Sequence, residues 1–282
     1  MLKKQNKGLK AKLVYYIKRH TTLLLLATVV MTAFVIRGIS TKRLPSTAQK
    51  SETTAVMTTT ESKADKNLSD KSDGKKVCYL TFDDGPSENT LKILDILNQN
   101  GAKATFFVIN SEHLYYVNDI VKSGSAVGLH SDTHEYSKIY KSESAFFDDL
   151  NALKEKVKYI AGIEPNILRF PGGSSNMISS QYCSGIMSSL TKAVEANGYE
   201  YFDWNVDSKD ASGDNVSPSE LINSVKTDAE GQDKICVLMH DMATKRTTLD
   251  ALPEIIKYLN SEGYIFETLT VNSPVFHHGT NN

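Results

Sequence analysis

From Lys76 onward, short stretches that are apolar at nearly every position alternate with longer ones that are apolar only at every third or fourth. The short stretches read VCYLTF, ATFFVI, AVGLH, ILRF, EYFDWN, ICVLMH and YIFETL. Runs of that length suit strands buried on both faces, whereas the wider spacing suits amphipathic helices. The helical segments are Glu88–Asn100, Leu114–Ser123, Ser142–Ala161, Ile186–Asn197, Pro218–Glu230 and Thr248–Glu262. Gly101, Gly124, Gly198 and Gly263 stand where a left-handed residue closes a helix. Alternating β and α segments over residues 76–272 predict a parallel α/β sheet wrapped by helices. Seven strands favour an irregular (β/α)7-type barrel over an open sheet.

Upstream the pattern changes twice. TTLLLLATVVMTAFVI, Thr21 to Ile36, is an apolar run without an internal charge, preceded by Lys18, Arg19 and His20 and followed by Arg37. With lysines at 3, 4, 7, 10 and 12, it predicts a basic cytoplasmic tail (1–20) and one transmembrane signal anchor (21–37). A cleaved signal peptide is the rival reading, but no convincing small-x-small cleavage site follows the run. Residues 38–75 are rich in Ser, Thr, Lys and Asp and poor in large apolar side chains, which predicts a disordered linker. The globular domain is expected over 76–272, outside the cell membrane, with a tail over 273–282.

Net charge is −1, but it is unevenly placed: residues 1–75 hold 15 Lys/Arg against 5 Asp/Glu, and the remainder 17 against 28. An acidic domain without a basic stripe excludes nucleic acid as the expected partner, and a monomer is expected. Cys78, Cys183 and Cys236 are too few for a disulfide framework, and all three read as structural thiols.

The polar clusters fall where the predicted strands finish. Asp83–Asp84 end the first, HSDTH (130–134) the third, Arg169 with FPGG the fourth, DSKD the fifth, and His240–Asp241 the sixth. In β/α barrels that rim carries the active site. DDGPS alone is also a good turn, with Ser87 able to cap the following helix. His130 and His134 are four apart, so a helical turn would bring both imidazoles to one side. With one carboxylate they form an Asp-His-His set that leaves positions open for water and substrate. Zinc is the default ion, with cobalt, nickel or manganese as alternatives.

TFDDG, HSDTH, RFPGG, DSKDA and LMHD, in this order, resemble the five motifs of the carbohydrate esterase family 4 polysaccharide deacetylases. The resemblance spans roughly Lys76 to Leu269 and, with the predicted anchor, is similar to bacterial peptidoglycan N-acetylglucosamine deacetylases. It implies that Asp84 joins His130 and His134 at the metal while Asp83 is the general base held by Arg169. It further implies that the Gly172 N–H faces the oxyanion, that His240 is the general acid with Asp210 as its partner, and that Leu238 receives the acetyl methyl. Ser131 is expected to support the metal histidines. The chain departs from the family where an aromatic residue is usual and Gly172 stands, and where a Trp is usual and Ala211 stands. An open cleft is expected, unless Trp204, Tyr136 or Tyr182 rebuilds the wall against the sugar.

The function implied is removal of N-acetyl groups from peptidoglycan N-acetylglucosamine, which would add positive charge to the wall and favour lysozyme resistance. Alternatives are chitin oligomers, another surface polysaccharide, N-acetylmuramic acid, an O-acetyl ester, or a non-catalytic glycan-binding domain.

Overall fold

The computed structural model describes residues 74–213 and 215–282. The predicted basic tail and anchor, and nearly all of the predicted linker, lie outside the described residues. Among the described residues no helix is long and apolar enough to cross a membrane.

Eight parallel strands form one sheet: β1 (Lys76–Gly85), β2 (Ala104–Ile109), β3 (Ala126–Ser131), β4 (Ile167–Leu168), β5 (Glu200–Tyr201), β6 (Val206–Asp207), β7 (Lys234–His240) and β8 (Tyr264–Phe266). Their order is β5-β4-β3-β2-β1-β7-β6, with β8 beside the first turn of pairing on β1. The helices are α1 (Thr90–Gln99), α2 (Val117–Lys122), α3 (Tyr136–Ile139), α4 (Glu143–Ala161), α5 (Ile186–Ala196), α6 (Pro218–Ala229) and α7 (Arg246–Ser261). The arrangement is a parallel half-barrel consistent with the expected (β/α)7 class.

Side chains alternate along each long strand, as the pleat requires. Cys78, Leu80 and Phe82 of β1 pack outward with Phe106 and Val108 and the helices, while Tyr79 faces inward with Phe107, Ile167, Phe202, Cys236 and Leu269. Of the predicted strand EYFDWN only Glu200–Tyr201 forms a strand, and a second short one follows it at Val206–Asp207, because the pairing changes sides. The Phe202 N–H donates to the Leu168 carbonyl at 2.9 Å, whereas the Asn205 N–H donates to that of Cys236 at 3.2 Å. The chain therefore crosses from one sheet edge to the other within three residues, and no ladder joins β5 to β6 among the described residues.

Helix α4 shows how pattern becomes packing. Phe146, Leu150, Leu153 and Val157 bury one stripe, the Ser142 side chain caps the start, and Gly162 at φ 68° ends it. Residues 273–282, expected as a tail, pack on the domain. Phe276 is buried edge-on against Tyr79, and the Asp203 N–H donates to the Phe276 carbonyl at 2.7 Å.

Candidate active site

Regular alternation would send Asp83 inward and Asp84 outward. A β-bulge prevents this. Asp83 pairs with Phe107 but Gly85 pairs with Val108, so Asp84 is the extra residue, at φ 66°. The same device recurs on the far side of β2: Val108 pairs with Leu129 and Ile109 with Ser131, which leaves His130 as the extra residue. Bulges re-aim a side chain at the cost of one ladder position. Both proposed ligands on strands sit at such a position.

The helical turn predicted for His130–His134 does not form. His130 lies in β3, and the chain then turns sharply through His134 at φ 54° before α3 begins. The turn is tied by Ser131, whose hydroxyl accepts the His134 N–H at 2.8 Å and donates to Asp149 Oδ2 at 2.7 Å. Asp149 also accepts the N–H groups of Asp132 (2.7 Å) and Thr133 (2.9 Å). Ser131 thus ties the turn that carries His134, and Asp149, which sequence reasoning missed, ties it in turn. Its only trace was a polar residue within the helical stripe pattern of α4.

The outcome is convergence. Asp84 Oδ1 lies 3.4 Å from His130 Nε2 and 3.3 Å from His134 Nε2. That oxygen is buried and has no hydrogen-bond partner among the described residues. His130 Nδ1 meets the Arg169 carbonyl at 2.7 Å, which can only accept, so this nitrogen carries the proton. The neutral ring then turns the Nε2 lone pair toward Asp84. Burial lowers the His130 pKa against the pull of the Asp83 and Asp84 charges, which favours that neutral form. An orphaned buried oxygen and two imidazoles aimed at one point fit a divalent cation.

Asp83 is nearly buried and accepts from Arg169 Nη1 at 2.9 Å. Arg169 is wholly buried, and its five N–H groups reach Asp83, Thr81, Cys236 and the carbonyls of Phe202 and Asp203. Its guanidinium lies 4.4 Å from the Phe107 ring centre. Burial alone would lower its pKa, but the Asp83 charge beside it more than compensates. Removing either partner would strand a buried charge, at a cost of about 3–5 kcal/mol.

Beside Asp83 stands a second Asp–His pair. His240 ends β7 beside Asp83 in the β1 register, and its Nδ1 lies 2.7 Å from Asp210 Oδ1. Asp210 Oδ2 also accepts the His240 N–H at 2.8 Å and the Thr248 hydroxyl at 2.9 Å. Burial opposes the charged imidazole, yet the hydrogen bond and charge of Asp210 push the His240 pKa up to about 9. The same pairing outweighs burial at Asp210 and lowers its pKa.

A hollow of about 230 Å³ joins the parts, lined by Asp83, Asp84, His130, His134, Tyr136, Gly172, Gly173, Trp204, Leu238 and His240. Ala211 is exposed and does not line it. Tyr136 does, so the wall is partly rebuilt, and Trp204 forms another side. Asp203, also missed, anchors the FPGG loop by accepting the Ser174 N–H at 2.8 Å. Cys78 and Cys236 are buried free thiols in strands, as expected, and Cys183 is free as well.

The family described as Polysaccharide deacetylase matches residues 70–186. A peptidoglycan-N-acetylglucosamine deacetylase of Bacillus cereus is 34% identical over 204 residues, covering 68% of this chain and 69% of that protein. A second Bacillus cereus protein of that name is 31% identical over 203 residues, covering 70% of this chain and 87% of its own. The catalytic domain of a peptidoglycan N-acetylglucosamine deacetylase from Eubacterium rectale superposes with a TM-score of 0.72 at 42% identity, over 74% of this chain and 96% of that one. With these likenesses added to four strand-end clusters that line one hollow and a fifth that reaches it through the Asp210–His240 pair, the chain belongs to the polysaccharide deacetylase family.

Proposed function

We propose that the protein is a metal-dependent hydrolase that removes acetyl groups from N-acetylglucosamine of cell-wall peptidoglycan, releasing acetate. The observation that carries this reading is the meeting, in one hollow, of the Asp83 carboxylate and the His240 imidazole, neighbours across the β1–β7 register, with the Asp84–His130–His134 cluster. Zinc is the proposed ion, because two imidazoles and a carboxylate suit it. The peptidoglycan assignment is supported by the named activities of the relatives.

Asp84, His130 and His134 would hold the ion. When bound, such an ion polarises the acetamide carbonyl and lowers the pKa of water toward roughly 7. Asp83, fixed by Arg169, takes the proton from the water that attacks the carbonyl carbon. The Gly172 N–H donates to the oxyanion of the tetrahedral intermediate. His240, kept protonated by Asp210, delivers a proton to the departing amine, so the C–N bond breaks as the N–H bond forms. Leu238 offers the acetyl methyl an apolar wall, and Trp204 a face for the sugar.

We place the domain outside the cell, tethered by an uncleaved 21–37 anchor, on the basis of the basic residues before that apolar run. We further propose that it acts as a monomer. Deacetylated wall would carry free amines, and lysozyme resistance is the proposed consequence. Acetate release from purified peptidoglycan, with and without chelator, tests the reaction. Mass spectrometry of the resulting muropeptides identifies the sugar, and loss of acetyl from N-acetylmuramic acid alone would overturn the N-acetylglucosamine assignment.

A further inference from the structure

Gly172 has no side chain, yet the space a side chain would take is filled. A Cβ built on Gly172 would lie 2.5 Å from the Tyr136 hydroxyl oxygen and 3.4 Å from the ring carbon that bears it. Gly172 sits at φ 80°, a left-handed conformation that also favours glycine. Tyr136 therefore occupies the wall position from a different segment, the turn that follows the metal histidines.

The tyrosine is held firmly. Its ring lies 5.8 Å from that of His134 and stands edge-on to Tyr140 at 5.4 Å and 81°. Tyr140 is fully buried, and its hydroxyl donates to the Pro171 carbonyl at 2.7 Å, one residue before Gly172. The Tyr136 hydroxyl itself forms no hydrogen bond among the described residues, and the residue lines the hollow beside Asp84, Gly172 and Leu238.

A rigid, half-buried phenol with an unused donor, set between a metal histidine and the Gly172 backbone, has a defined chemical use. We infer that Tyr136 is a catalytic residue whose hydroxyl donates a hydrogen bond to the acetamide carbonyl oxygen, beside the N–H of Gly172. This rests on the deacetylase reading above. As the carbonyl becomes a tetrahedral oxyanion its charge grows, so the bond strengthens in the transition state more than in the ground state. The effect belongs in kcat.

The test is acetate release from tetra-N-acetylchitotetraose and from purified peptidoglycan by the wild-type protein, Tyr136→Phe and Tyr136→Leu. Metal content and melting temperature are measured alongside. Tyr136→Phe keeps the ring and loses the donor; kcat is expected to fall about 10- to 100-fold with KM and metal content unchanged. Tyr136→Leu, which also removes the aromatic wall, is expected to lower kcat equally and raise KM in addition. An unchanged kcat in Tyr136→Phe, or a rise in KM alone, would overturn the role. So would loss of metal from Tyr136→Phe, since the tyrosine would then act through His134. These outcomes leave an active wild-type enzyme in place, and so leave the deacetylase reading standing. Absence of acetate from both substrates with the metal-loaded wild-type protein would remove both.

Discussion

The site holds two sets of aspartate and histidine, and they are built to opposite ends. In the first, Asp84 faces the Nε2 atoms of His130 and His134 at 3.3–3.4 Å, with its oxygen left without a donor. In the second, Asp210 grips Nδ1 of His240 at 2.7 Å and takes two further hydrogen bonds. Burial lowers the pKa of His130, whereas Asp210 outweighs burial and raises that of His240 to about 9. The same two residue types thus yield a cluster of electron-pair donors on one side and a proton donor on the other. What separates them is which ring nitrogen meets the aspartate, and whether the other nitrogen meets a carbonyl or the hollow.

The comparison can be broken first at the donor cluster. His130→Ala or His134→Ala removes one of three ligands, and turnover is expected to fall by at least about 10⁴-fold together with bound metal. Elemental analysis showing full occupancy in both variants would refute the ligand set. Asp83→Asn is expected to keep the metal and lose about 10²–10⁴-fold in kcat, as is His240→Asn. Normal turnover in either would move the acid or base elsewhere.

The second set sharpens through pH. His240 must carry its proton to serve the leaving amine, and its raised pKa means the proton is lost as pH climbs through about 9. A wild-type kcat/KM profile is expected to decline across that region. Asp210→Asn removes the charge that raises it, so the alkaline limb is expected to move down toward 6.5, lowering activity at pH 8 by roughly thirtyfold. By the same linkage, the pair stabilises the fold fully below about pH 6.5 and ceases to do so as pH passes about 9. The smallest expected effect lies at the rim. Ala211→Trp adds an aromatic surface at an exposed position, and kcat/KM on short chitin oligomers is expected to rise about fivefold. No gain in a folded variant would show that the cleft is already walled.

Much of this was legible in the chain. The apolar runs marked most of the strands, and the polar residues at their ends marked the groups that the structure brings together: Asp84, His130 and His134 in one candidate metal cluster, Asp83 with Arg169, and Asp210 with His240. What stayed hidden depends on neighbours. An i,i+4 histidine spacing fits a helical turn as well as a strand end followed by a left-handed residue, and the structure takes the latter at His134. The bulges at Asp84 and His130 exist only relative to β2. Asp149 reaches the site through backbone N–H groups, which leave no sequence pattern. Tyr136 replaces a side chain at a position 36 residues away, a substitution in space rather than in alignment.

Strand β2 contributes no reacting group, yet both bulges are measured against it. Phe107 at its centre leaves no room for a side chain at Gly128 and supports the Arg169 guanidinium. For a designer this makes ATFFVI the portable part. A straight, uninterrupted strand serves as a ruler, and one surplus residue on each flanking strand aims a ligand at the gap above it. Grafting the Asp-His-His set onto another parallel sheet would then call for copying an inert rail and two deliberate miscounts, with the ligands added last.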